Sequence, residues 1–188
     1  MSIVELLNGR RPHRVDAARN FDAIVAAARE RFSDAGVSAS LEDIARRAGV
    51  GVATLYRNFP TRGALLEAVY VAEVAAVCEY GNRVGDLSPW EALEAWLRRF
   101  VEYLGTKRAL IEGLSRESET FLACRQALYD TGEPLLTRAQ AAGEVRPDLD
   151  IDDVLRLAFA LTAGVYRTDE QRTRITTIAL EGVKSTRA

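Results

Sequence analysis

The chain has 188 residues, 48% hydrophobic and 28% charged, which suits one large globular domain or two small ones. No stretch approaches the ~20 consecutive apolar residues that span a bilayer. Residues 1–12 lack an apolar run followed by small residues, so no secretory signal is expected and the cytoplasm is the expected location. Net charge is −2, unevenly spread: residues 1–60 carry nine arginines against seven carboxylates, and the remainder 16 basic against 20 acidic residues. His13 is the single histidine, and no C-x-x-C occurs, which argues against a zinc site or a histidine-dependent triad. Cys78 and Cys124 lie in apolar helical patterns and read as buried thiols, with a redox pair or an effector-reactive thiol as the alternative. No metal and no cofactor is expected.

Nearly every segment reads as helix, with an apolar period near 3.6 and turn residues between the runs. Residues 1–14 read as a loosely ordered arm with a basic cluster, Arg10, Arg11, His13 and Arg14. A first helix is predicted from about Asp16 to Ala35. Its inward face is Phe21, Ile24, Val25, Ala28 and Phe32, and Gly36 stops it. Ser40 caps the second helix, where Ser40-Leu41-Glu42-Asp43 resembles a capping box, and Leu41, Ile44, Ala45 and Ala48 face inward. Gly49-Val50-Gly51 makes a turn, and a short third helix follows from Val52 to Asn58. Pro60 forbids its continuation, and Thr61 caps a long fourth helix from Arg62 to about Val84. Ser88-Pro89-Trp90-Glu91 opens a fifth helix that ends near Gly105, and a short sixth is predicted from about Arg108 to Arg116. The seventh runs from Glu119 to Ala142, kinked or interrupted near Gly132 and Pro134. Asp152 and Asp153 start the eighth, which ends near Tyr166, and the ninth spans about Glu170 to Val183.

Two short helices joined by a glycine turn, with a third in front, make a helix-turn-helix from about Ser40 to Phe59. At ~100° per residue, Leu55 and Phe59 share the face that packs inward. Ala53 and Arg57 lie opposite, flanked by Val52 and Tyr56 on one side and Thr54 and Asn58 on the other. No acid stands between Val50 and Leu66, as a surface facing phosphates requires.

Residues 40–66, SLEDIARRAGVGVATLYRNFPTRGALL, resemble the signature of the tetracycline-repressor (TetR) family of bacterial regulators. The match is carried by Ile44-Ala45, Ala48-Gly49-Val50, Thr54-Leu55-Tyr56, Phe59-Pro60 and Leu65-Leu66. Three positions depart from the pattern: Gly51 stands where a Ser or Thr cap is usual, Val52 where a polar residue is common, and Arg62 where Lys is usual. The resemblance implies an all-α fold. A three-helix DNA-binding domain (residues 1–60) would be fused through the long fourth helix to a helical effector-binding and dimerisation domain (residues 61–188). It also implies a homodimer that binds double-stranded operator DNA and is released by a small molecule.

Residue roles follow from that resemblance and from side-chain chemistry. Arg57 is the candidate reader of guanine O6 and N7, and Val52 and Ala53 offer methyl surfaces for thymine. Thr54, Tyr56, Asn58, Thr61 and Arg62 are expected at phosphates, with Ser40 and the start of the second helix. For Tyr56 the alternative is a structural tyrosine packed on the first helix. For Arg10, Arg11 and Arg14 a solvated tail and an arm in the minor groove are both open.

The later helices are rich in bulky apolar residues, most of them core. The resemblance places an effector pocket among them, and Trp96, Phe100, Phe121, Cys124, Leu128, Phe159 and Thr162 are its expected lining, suited to a mostly apolar ligand. The eighth and ninth helices carry more apolar surface than one core needs. Leu155, Ala158, Leu161, Val165, Ile175, Ile178 and Ala179 are the expected dimer interface. An enzyme is the main competing class, but no phosphate-binding glycine loop, metal cluster or usable histidine supports it. A helical ligand-binding or interaction protein without DNA-binding activity is the second alternative, and the acid-free third helix argues against it.

Overall fold

The computed structural model describes residues 11–112 and 118–185. Among these the fold is all-α. Eight helices follow in order: α1 (Val15–Ala35), α2 (Leu41–Arg47), α3 (Val52–Asn58), α4 (Arg62–Arg83), α5 (Pro89–Glu112), α6 (Glu119–Ala141), α7 (Ile151–Ala163) and α8 (Asp169–Glu181). Single 3-10 turns at Gly36–Ser38 and Val84–Asp86 follow α1 and α4.

Helix ends obey local chemistry. Gly36, at φ +66, stops α1 in a backbone region that side chains with a Cβ avoid. At the end of α6 the N–H of Glu144 reaches the carbonyl of Ala139, and that of Gly143, at φ +71, reaches Gln140. These two bonds make a Schellman cap. Asp150 and Asp153 form a reciprocal capping box at the start of α7. Thr168 caps α8 by accepting from the N–H of Gln171.

Three expectations are corrected. The break near Gly105 does not occur: α5 continues to Glu112, absorbing the start of the predicted sixth helix, whose remainder lies outside the described residues. Gly132 and Pro134 do not interrupt α6, and Pro134 lies exposed within it. Asp152 and Asp153 lie in the first turn of α7 as expected, with Asp150 as its N-cap, and Asp152 also accepts from Tyr129 and pairs with Arg156. That helix ends at Ala163, not Tyr166, because Gly164 takes an extended conformation (φ −76, ψ 146).

Residues group into two compact units that do not follow chain order: Met1–Ala76 with Thr106–Ala127, and Val77–Gly105 with Leu128–Ala188. In the first, Phe21, Ile24, Ala28 and Phe32 of α1 pack with Ile44 and Ala45 of α2, Leu55 of α3 and Leu65, Leu66 and Val69 of α4. Glu73, a buried carboxylate of α4, pairs with Arg29 of α1 in the same unit. In the second, Leu93, Trp96 and Leu97 of α5, Leu136 of α6 and Leu180 of α8 are fully buried.

Candidate nucleic-acid interface

The helix-turn-helix is built by α2, a tight turn and α3. Gly49 lies at φ +69, the N–H of Val50 bonds the carbonyl of Ala45 at 3.0 Å, and that of Gly49 bonds Arg46 at 3.2 Å. This is a second Schellman cap, and it turns the chain in three residues. Val50 tucks partly against the core while Gly51, extended, precedes α3. Gly51 supplies no side-chain cap, as its lack of a hydroxyl requires.

The structure orients α3 as its period demands. Leu55 is fully buried, and the ring of Phe59 lies 4.9 Å from that of Phe21 on α1. The other faces meet solvent. Val52, Ala53, Tyr56 and Arg57 are exposed, and Thr54 and Asn58 are half-buried. Tyr56, 44% exposed, lies outside the buried core, so the packed-tyrosine alternative is not the arrangement observed. Within α3 an Arg57 guanidinium nitrogen donates to Thr54 Oγ1 at 2.9 Å, which holds the fork against its own helix. Asn58 Nδ2 donates to the Thr54 carbonyl at 2.8 Å.

Other expected phosphate contacts have internal roles. Ser40 Oγ accepts from the N–H of Asp43 at 3.2 Å and donates to Glu42 Oε2 at 2.7 Å. Only half of the predicted capping box forms, because the Asp43 carboxylate turns to Arg46 and to Arg31. The hydrogen bond from Arg46, with the nearby charges of Arg31 and Arg47, holds the Asp43 carboxyl below the usual range. The hydrogen bond from Ser40 does the same for Glu42. Arg62 donates to the Ala39 carbonyl at 2.7 Å, tying the start of α4 to the entry of α2. Thr61 accepts from the N–H of Ala64 and so caps α4, its side chain exposed. Arg14 is exposed at the N-cap of α1, and Arg11 forks onto Asp22 of α1 at 2.9 and 2.5 Å; Arg10 lies outside the described residues.

The sequence pattern does not single out Arg46 and Arg47. Both are exposed at the end of α2 beside the Gly49 turn, and two consecutive arginines on that outward end were the available signal.

Residues 24–69 match the profile of bacterial regulatory proteins of the tetR family, and residues 88–185 match that of the C-terminal domain of SbtR-like transcriptional regulators. A TetR transcriptional regulator from Streptomyces coelicolor is 38% identical over 89% of this chain and 99% of its own, with a TM-score of 0.76. The chain belongs to the TetR family. A TetR regulatory protein from Mycobacterium vanbaalenii is also similar, at 30% identity over 92% of this chain and 99% of its own, TM-score 0.73. The transcriptional regulator FadR from Bacillus subtilis, solved in complex with stearoyl-CoA, shares the fold at 17% identity, covering 89% of this chain and 100% of its own, TM-score 0.65. No curated protein matches the chain. As a TetR-family member it is a DNA-binding transcriptional regulator and not an enzyme. No described helix is long and apolar enough to cross a membrane.

The residues expected at an effector pocket divide between the two units of this TetR-family chain. Trp96, Phe100 and Leu128 are buried, Thr162 is half-buried and donates to the Phe159 carbonyl, and Phe159 itself is 48% exposed; all five belong to the second unit. Phe121 and the buried Cys124 belong to the first, where Phe121 stacks on Tyr70 with centroids 5.7 Å apart. A surface cavity of about 610 Å³ lies elsewhere in the second unit, lined by Trp90, Ala142, Gly143, Glu144, Lys184 and Ser185, and includes none of the expected lining.

The residues expected at a dimer interface also separate. Leu155, Ala158 and Leu161 are buried. Ile175 and Ala179 are half-buried. Val165 at 100% and Ile178 at 65% are exposed.

Proposed function

We propose that the chain is a homodimeric repressor that acts in the cytoplasm and leaves its operator when a small, mostly apolar effector binds. Residues 1–60 form the DNA-reading part and residues 61–188 the effector and dimer part. The observation that carries the DNA reading is the exposed, acid-free outer face of α3, where Ala53 and Arg57 stand opposite the buried Leu55 and Phe59. Arg57 reads guanine, and Val52 and Ala53 meet thymine methyls. Thr54, Tyr56, Asn58 and Thr61 are proposed at phosphates, joined by Arg46 and Arg47. Ser40 is left out because its hydroxyl is committed to its own helix beside Glu42, and Arg62 acts mainly by holding Ala39. Arg14 remains a candidate for the backbone or the minor groove.

Dimerisation through α7 and α8 is supported by the exposed Phe159, Val165 and Ile178, with Ile175 and Ala179 beside them. A symmetric pair would present two α3 helices ~34 Å apart, one turn of DNA. Effector binding is supported by the apolar, aromatic interior and by the fold shared with a regulator solved with stearoyl-CoA. The effector acts by preferring the conformer whose reading heads are wrongly spaced.

The deciding experiment selects bound sequences from random DNA and measures affinity for the winner and for scrambled DNA across a salt series. A steep salt dependence with strong preference for the winner is expected. Arg57→Ala should erase that preference more than it weakens scrambled binding. Equal losses on both DNAs would remove Arg57 from base reading, and a flat salt response would remove DNA binding altogether. Release of the selected DNA is then screened against candidate compounds.

A further inference from the structure

The indole of Trp96 on α5 is fully buried, and no acceptor among the described residues takes a hydrogen bond from its Nε1–H. A buried N–H without an acceptor carries its full desolvation cost, and folded proteins keep few such groups. The ring lies in a slot made by two glycines of the same compact unit. A Cβ on Gly81 of α4 would fall 2.8 Å from Cδ1 and 3.0 Å from Nε1, and one on Gly132 of α6 would fall 2.5 Å from Cη2. The N–H edge therefore faces bare backbone of α4, and the six-membered ring faces bare backbone of α6. Phe100, one turn along α5, stacks on the indole with centroids 6.1 Å apart and planes 10° from parallel. Besides the indole, the atoms that such Cβ groups would meet are Thr131 Cγ2 at Gly81 and Ile151 Cδ1 at Gly132.

We propose that Trp96 Nε1–H is the polar anchor of the effector site, and that it takes a flat, uncharged ligand bearing one hydrogen-bond acceptor, of the aromatic ketone type. The assignment rests on the effector reading above and adds the ligand's chemistry to it. An indole N–H can only donate, so the ligand must accept. The indole and Phe100 present ring faces suited to a flat apolar body. With no Cβ at residues 81 and 132, the indole packs directly on both backbones, and admitting the acceptor to its N–H edge requires the ring to shift from this packed position.

The test uses the full chain carrying Trp90→Phe and ¹⁵N-labelled indole, so that a single indole signal reports Trp96. Acetophenone, which has an acceptor, is compared with isopropylbenzene, which has the same size and none. Acetophenone should move the Trp96 indole proton downfield saturably and slow its exchange with solvent, while isopropylbenzene should do neither. Trp96→Phe should weaken acetophenone by about tenfold and leave isopropylbenzene unaltered. Equal responses to the two compounds, or unaltered acetophenone affinity in Trp96→Phe, would overturn the donor assignment while the effector reading stands, because a ligand has bound. An indole proton already held by an internal water and insensitive to acetophenone would overturn it too. If neither compound binds, the ligand class falls, and the DNA-release screen judges the effector reading separately. If Trp96→Phe fails to fold, the indole titration decides alone.

Discussion

The ring of Phe59 lies 4.9 Å from that of Phe21, tilted by 36°, and this contact seats the end of α3 on α1. Both rings are buried in the core of the helix-turn-helix. Phe59→Ala should cost about 3–5 kcal/mol, the range for emptying a buried aromatic site. Thermal unfolding measures it, and a loss under about 1 kcal/mol would mean that α3 is held chiefly by Leu55.

The two glycines of the turn should respond oppositely. Gly49 sits at φ +69, so Gly49→Ala strains the backbone by about 1–2 kcal/mol although its Cβ would meet nothing within 4 Å. Gly51 precedes α3 at φ −69 and also has open space, so Gly51→Ser adds a missing cap and should stabilise by about 0.3 kcal/mol. Denaturant midpoints of the two variants would have to move the same way to contradict this.

Glu73 is buried on α4 and its partner is the half-exposed Arg29 of α1. Removing the cation takes one compensating charge from a buried carboxylate, so Arg29→Met should destabilise by about 1–3 kcal/mol. The double variant Arg29→Met, Glu73→Leu should recover most of that loss, since the buried charge goes with it. A double-mutant cycle measures the coupling, and strictly additive losses would refute it.

Gly132 is needed for space, not for bending. Its Cβ would fall 2.5 Å from Trp96 Cη2 and 2.6 Å from Ile151 Cδ1. Gly132→Ala should cost about 1–3 kcal/mol by overpacking, despite alanine's better helix propensity. Calorimetry showing a gain in stability would point to propensity as the dominant effect.

Burial pushes the Cys78 thiol up, the charge of Asp130 adding to the shift and a hydrogen bond with Thr131 opposing it. The folded state therefore keeps a proton that the unfolded chain releases above the ordinary value of 9.0. This thiol leaves stability unaltered well below that pH and lowers it as pH rises beyond. Iodoacetamide at pH 8, followed by peptide mass mapping, should modify native Cys78 far more slowly than the denatured chain. Equal rates would contradict the buried site.

Much of the DNA-reading element was legible in the sequence. The Leu55-to-Phe59 spacing, the positive-φ demand at Gly49 and the Pro60 stop are short-range constraints, and neighbours in the chain suffice to express them. What α3 shows to solvent follows from the same period. The capping chemistry was legible only in part: Ser40 caps as its residue type predicts, but Asp43 is drawn away by Arg31, a residue of another helix.

The sequence alone determined that this is an all-α chain with a helix-turn-helix at residues 40–59, because helix periodicity and glycine turns are local properties. Only the tertiary structure decided that α5 runs through Gly105 and α6 through Gly132 and Pro134. It also decided that Leu155, Ala158 and Leu161 face inward while Val165 and Ile178 do not. A glycine can end a helix or admit a ring such as Trp96, and an apolar stripe can face its own core or a partner. Nothing within a few residues separates those outcomes; packing between distant segments does.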